Sequence, residues 1–135
     1  IGTQMHVSCY ENPDIQASKE KHYVRMLQLM ANTGKLVKIT ELDMGYVDKN
    51  GNTVPTSQMQ DYQHRAMADY YDFIVRKYFE IVPPAQQYGI TQWCTRDAGG
   101  ELGTGWRGGE PVGLCDINYN RKYAYAGFAN GLRAR

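Results

Sequence analysis

Apolar residues along this chain follow two rhythms that take turns. Residues 1–7 are short and β-prone and predict a strand. A loop with Asn12-Pro13-Asp14 follows, and then Tyr23, Met26, Leu27 and Met30 recur at helical spacing, predicting a helix over about 18–32. Ser18 is its expected N-cap and Gly34 its stop signal. The β-branched run over 36–44 predicts a second strand, and Asp48-Lys49-Asn50-Gly51-Asn52 a turn. A second helix is expected over about 57–80, with Ala66, Tyr70, Ile74 and Tyr78 on one stripe widened by Met59, Tyr62, Met67 and Phe73. Pro83-Pro84 forbids its continuation. Residues 89–94 predict a third strand, 96–113 a long Gly-rich loop holding Trp106, and 121–132 a closing helix with Tyr125 and Phe128.

This β-α-β-α-β-α order implies parallel strands joined by right-handed crossovers. Periodicity leaves two architectures open, an open doubly wound sheet and an arc of a barrel. No Gly-rich phosphate loop follows the first strand, so a dinucleotide-binding reading loses its main support.

The 135 residues fit one domain, and a formal net charge of +1 argues against nucleic acid or an anionic membrane as partner. No apolar run approaches the roughly 20 residues of a membrane span. Eleven tyrosines and two tryptophans suit a sugar cleft, and equally suit ordinary amphipathic packing. The chain opens at Ile1 rather than Met, so its native start is expected upstream. Cys9, Cys94 and Cys115 are odd in number and match no metal spacing; three thiols are expected, with a Cys9–Cys94 bridge as the alternative because both would follow strand ends.

Each predicted strand ends in polar residues. The first delivers Gln4 and His6, the second Glu41 and Asp43 on one face by alternation, and the third Gln92 and Trp93. Strand ends that carry functional loops lie on one side of a parallel α/β structure, so these residues should converge. Blander roles exist for each: a structural histidine, a chance Thr-Glu-Leu-Asp, a packing tryptophan. Lys38 finds no place for its charge among buried strand positions.

Residues 34–44, Gly-Lys-Leu-Val-Lys-Ile-Thr-Glu-Leu-Asp-Met, resemble the nucleophile signature of family 10 glycoside hydrolases, the endo-β-1,4-xylanases. Gly2-Thr3-Gln4-Met5-His6 is similar to the end of that family's sixth barrel strand. Gln92-Trp93 with Trp106-Arg107 resembles the eighth strand and its loop. Pro111 to Asp116, with Asn118-Tyr119 and Lys122 to Tyr125, resembles the closing stretch before the last helix. The four blocks stand in family order over nearly the whole of residues 1–135; Cys115 departs from the bulky apolar residue usual there.

The resemblance implies an α/β fold comprising the last three β/α units, strands six to eight, of a (β/α)8 TIM barrel. It implies Glu41 as nucleophile of a retaining endo-β-1,4-xylanase, tuned and oriented by His6 and Asp43. Gln4, Trp93 and Trp106 would bind xylose units of xylan, and no metal or organic cofactor is called for. The acid/base motif of the fourth strand is absent, so the complementary N-terminal part of the barrel is an expected partner. Glu11, Asp97, Glu101, Glu110 and Asp116 are acid/base candidates only by default, and solvated loop carboxylates or caps are the expected roles for all five. An inert carbohydrate-binding or scaffold fragment is the alternative function. A secreted, periplasmic or cell-surface bacterial location follows from the resemblance alone.

Overall fold

The structure, a computed structural model, describes residues 1–99 and 105–134. In chain order it contains β1 (Gly2–Thr3), β2 (His6–Tyr10), α1 (Pro13–Ala31), β3 (Val37–Val47), α2 (Asp61–Ile81), β4 (Gln87–Gln92) and α3 (Tyr123–Arg133). All strand pairings are parallel. β3 is central, with β1 and β2 along one side and β4 along the other.

The expected first strand is therefore two strands. β1 pairs with the start of β3 and β2 with its end, His6 lying opposite Asp43. The break falls at Gln4-Met5, where Met5 adopts φ 62°. Pairing then runs on to Tyr10, three residues past the expected end, because β3 itself continues through Gly45, Tyr46 and Val47.

The first helix also begins earlier than expected. Asn12 is its N-cap, accepting from the backbone N–H of Asp14 and Ile15 at 3.0 and 3.1 Å, and Pro13 fills the first helical turn. Proline there gives up only an N–H that has no partner inside the helix. Ser18 consequently lies inside α1 and is not its cap. Gly34, at φ 72°, does close the segment. α2 starts at Asp61 because Thr56–Gln58 forms a separate 3-10 turn and the backbone N–H of Gln60 donates to Gln63 Oε1 at 2.9 Å.

The core lies between the sheet and the helices. Val37, Ile39, Leu42, Met44 and Tyr46 of β3 pack with Tyr23 and Leu27 of α1 and with Met67, Tyr70, Tyr71, Ile74 and Tyr78 of α2. Each fully buried aliphatic side chain contributes about 1.5–3 kcal/mol. Tyrosines enter this core because their hydroxyls find backbone partners: Tyr23 donates to Ile74 O and Tyr78 to Val37 O, both at 2.7 Å. The expected stripe of α2 is buried at Met67, Tyr70, Ile74 and Tyr78, and burial is wider on one side than expected. Tyr71 and Val75 are fully buried whereas Tyr62 is exposed, since α2 also packs against α3. That contact is close enough that a Cβ on Gly127 would stand 2.0 Å from Ala68 O.

One irregularity of β3 positions the site. Val37 and Ile39 face the core, and so do Leu42, Met44 and Tyr46, so the inward parity changes between 39 and 42. The pairing with β4 shifts register at the same place. This extra residue turns Glu41 and Asp43 to the opposite face, where Lys38 also lies. Lys38 Nζ sits 5.1 Å from the Tyr88 ring centroid, which gives its charge a place outside the core. Beside it Ile1, Leu36 and Tyr88 form an exposed apolar rim. No helix among the described residues is long and apolar enough to cross a membrane.

Candidate active site

The C-terminal half of β3 and the start of β2 bring three side chains into line. His6 Nε2 lies 3.0 Å from Glu41 Oε2. His6 Nδ1 lies 3.0 Å from Asp43 Oδ2, though not aligned as a hydrogen bond. Glu41 and His6 remain about a third and a quarter open to solvent, while Asp43 is fully buried. An imidazole between two carboxylates is held in orientation by them.

Asp43 is sealed from its other side. Trp106 Nε1 donates to its Oδ2 at 2.6 Å, and Arg107 Nη1 to its Oδ1 at 2.7 Å. Arg107 also donates to Val7 O at 2.8 Å and to Glu110 Oε2 at 2.9 Å. Burial alone would lower the pKa of this guanidinium; Glu110 and Asp43 together outweigh that and raise it above its ordinary value. The local chain makes this reach feasible. Arg107, Gly108 and Gly109 all have positive φ, so the segment Trp106–Gly109 folds back over β3. Gly45 leaves room below, for a Cβ there would meet Glu110 Oε1 at 2.1 Å.

Two aromatic faces stand beside the carboxylates. Trp93, held by its N–H to Leu42 O at 2.8 Å, follows β4, and its ring centroid is 6.2 Å from that of Trp106 at an interplanar angle of 66°. Both residues are 43% exposed, enough to offer a ring face to a ligand. The Trp106 ring also meets His6 edge-on at 5.4 Å. Gln4 is exposed in the gap between β1 and β2. Five of the six expected residues thus converge through explicit contacts, and Gln4 lies two residues before His6, in the break between β1 and β2.

The expectation of solvated loop carboxylates fails at two positions. Asp97 is fully buried. It accepts from Lys122 Nζ and from the Gly113 N–H at 2.9 Å each, and from the Thr56 hydroxyl. Burial pulls the Lys122 ammonium below its usual pKa, against the opposing pull of Asp97. Glu110 is mostly buried against Arg107. Asp116 caps its own turn through the N–H groups of Asn118 and Asn120, and Glu11 accepts from the Lys49 N–H and the Tyr62 hydroxyl, as caps should. Glu101 and part of the Gly-rich loop lie outside the described residues. Cys9, Cys94 and Cys115 are free thiols. A Cys9–Cys94 bridge is ruled out by geometry: Cys9 is buried in β2, Cys94 follows β4, and β3 runs between them.

The sequence gives Arg107 no role of its own, and Glu110 is expected only as a solvated loop carboxylate or cap. The signal was their setting, a charged pair three apart inside a glycine-rich turn directly after the tryptophan.

Open tryptophan faces next to an ion-paired carboxylate suit the C–H face of a sugar ring, and define an α/β protein of the carbohydrate-active class. Comparison with known proteins makes the class specific. The model of the family described as Glycosyl hydrolase family 10 matches residues 1–131, and the chain belongs to that family. It is 32% identical over 141 residues to the endo-beta-1,4-xylanase Xyn10C of Cellvibrio japonicus, covering 98% of this chain and 22% of that one. A thermostable mutant of the xylanase Xyn10A from Cellvibrio japonicus has a similar structure, with a TM-score of 0.77 and 26% identity over 97% of this chain and 39% of that one. So has a mutant Xyn10C from Cellvibrio japonicus in complex with xylopentaose, with a TM-score of 0.76 and 28% identity over 97% of this chain and 26% of that one. The chain therefore spans well under half the length of these relatives.

Proposed function

We propose that this chain supplies the nucleophile side of a retaining endo-β-1,4-xylanase, as strands six to eight of a (β/α)8 barrel. The observation that carries the reading is the 3.0 Å contact between Glu41 within β3 and His6 at the start of the adjacent parallel β2, beside the two tryptophan faces. In a family 10 chain whose relative is solved with xylopentaose, that cleft is best read as a xylan site.

Glu41 attacks the anomeric carbon of a xylose unit while the glycosidic C–O bond breaks, giving a glycosyl ester. The leaving oxygen takes a proton from a second carboxylic acid. That group, then a carboxylate, removes a proton from water as the water opens the ester and restores Glu41. Retaining enzymes hold the two groups about 5–5.5 Å apart. Asp43 is unsuited to the second role because Arg107 and Trp106 already occupy its oxygens. The acid/base is therefore assigned to the complementary N-terminal part of the barrel. The apolar rim of Ile1, Leu36 and Tyr88, and the outer edges of β2 and β4, are surfaces such a part would cover. His6 and Asp43 orient Glu41. Trp93 and Trp106 stack on xylose rings and exclude water, and Gln4 reaches a sugar hydroxyl. The same reading puts the working protein where xylan is, secreted, periplasmic or on a bacterial cell surface.

The test uses the full native polypeptide and an aryl β-xyloside with a good leaving group, which needs little acid assistance. Glu41→Ala should abolish phenol release and leave xylan retention on an affinity gel intact. Near-normal release by that variant would falsify the nucleophile assignment. Retention without release by the unaltered protein favours a non-catalytic xylan-binding scaffold.

A further inference from the structure

Arg107 makes more contacts across the site than any role in sugar stacking requires. Its guanidinium reaches three separate segments: Val7 O at 2.8 Å and Ser8 Oγ at 3.3 Å on β2, Asp43 Oδ1 at 2.7 Å on β3, and Glu110 on its own loop. β2 and β3 are the two strands that carry His6 and Glu41. The side chain is 18% exposed, and its backbone sits in the left-handed region at φ 52°, a conformation a non-glycine residue adopts only when its surroundings hold it there.

We propose that Arg107 is the positioning residue that locks the Glu41–His6–Asp43 line and links it to the tryptophan wall. By occupying Asp43 Oδ1 it leaves Oδ2 to face both His6 Nδ1 and Trp106 Nε1. By holding Val7 O it fixes the strand segment that follows His6. A planar guanidinium can meet a carboxylate, a backbone carbonyl and a second carboxylate at once; a lysine ammonium in its place cannot span all three. The proposal deepens the xylanase reading above and rests on it for its catalytic consequence, but its geometric part does not.

Charged groups stand around His6 among the described residues. Glu41 and Asp43 face it from β3, and Arg107 and Glu110 stand behind Asp43. Lys19 and His22 of α1 border the groove on its other side. Of these, Arg107 is joined directly to Asp43, so its removal frees the carboxylate that stands beside the imidazole.

The experiment compares Arg107→Met and Arg107→Lys in the full native polypeptide, by turnover of an aryl β-xyloside and by the 15N chemical shifts of the His6 imidazole at one fixed pH. Arg107→Met should lower kcat/KM by about 100-fold, mostly in kcat, as expected for a misplaced nucleophile. Its His6 ring-nitrogen shifts should move, because Asp43 loses the partner that holds it beside Nδ1. Arg107→Lys, which cannot span all three partners, should leave kcat low. Two results overturn the proposal: His6 ring-nitrogen shifts in Arg107→Met that superimpose on the unaltered protein's, or an activity loss that only tracks the folded fraction. Should Arg107→Met fail to fold, Arg107→Lys with full kcat overturns it equally. If the unaltered protein shows no turnover, the xylanase reading fails while the His6 shifts still decide the geometric claim.

Discussion

Lys122→Met tests how the site's walls are held. Lys122 donates all three of its ammonium hydrogens inside the protein, to Asp97 Oδ1 at 2.9 Å, Pro111 O at 2.9 Å and Gly113 O at 2.8 Å. Its side chain is 6% exposed and that of Asp97 is not exposed at all. Methionine fills similar volume but strips Asp97 of its counter-charge and two buried carbonyls of their donor. Breaking a buried pair from one side costs about 3–5 kcal/mol. That is a large share of the roughly 5–15 kcal/mol that holds a typical domain together. With a urea dependence near 2 kcal/mol per molar, a loss of about 4 kcal/mol moves the unfolding midpoint down by about 2 M. Urea melts of the native polypeptide read this directly. Asp97→Asn/Lys122→Met should be less destabilised than the sum of the single variants by at least about 1.5 kcal/mol, since the amide needs no counter-charge. Strictly additive losses, or a Lys122→Met loss under about 1 kcal/mol, refute the reasoning. The pair joins the segment after β4 to the start of α3, so xylan retention should weaken in step with the melt.

Two further outcomes follow from packing. Gly127→Ala places a methyl 2.0 Å from the Ala68 carbonyl oxygen; a backbone atom cannot step aside cheaply, and thermal melts should show a loss of at least about 2 kcal/mol. Cys9 is 2% exposed and burial pushes its thiol up to about 12 from the usual 9.0. The folded chain thus keeps a proton that the unfolded chain releases above pH 9, so stability falls as pH rises from 9 to about 12, by up to about 1.4 kcal/mol per pH unit. Cys9→Ala should flatten that alkaline loss in urea melts run from pH 8 to 10.5, and Cys9 in the unaltered protein should resist iodoacetamide at pH 8 until urea unfolds it.

Much of the fold was legible because strand and helix rhythms differ in period, and Gly34 and the Pro83-Pro84 pair act locally. The convergence of His6 with Glu41 was legible too, for parallel pairing of the first segment with the second sets His6 opposite Asp43, although both strands run on past these residues. What escaped prediction depends on tertiary partners. Asn12 outcompeted Ser18 as the cap because proline follows it, a pairing that reads equally well as a loop. Asp97 and Glu110 look like ordinary loop acids until Lys122 and Arg107, 25 residues later and three residues earlier in the chain, fold onto them. Nothing in local composition announces such a match.

The placement of the carboxylates shows how tight the link between backbone and chemistry is. Strict alternation along β3 would put Glu41 and Asp43 on the same face as Val37 and Ile39, which are fully buried against the helices. Two carboxylates there would sit among tyrosines and aliphatics without a cation, a cost of several kcal/mol each. The register shift between Ile39 and Leu42 removes the conflict with one extra residue. Leu42, Met44 and Tyr46 inherit the core face, and the acids turn to the mouth, where His6, Arg107 and Trp106 meet them. The site therefore depends on a local break in the very pattern that makes the strand recognisable.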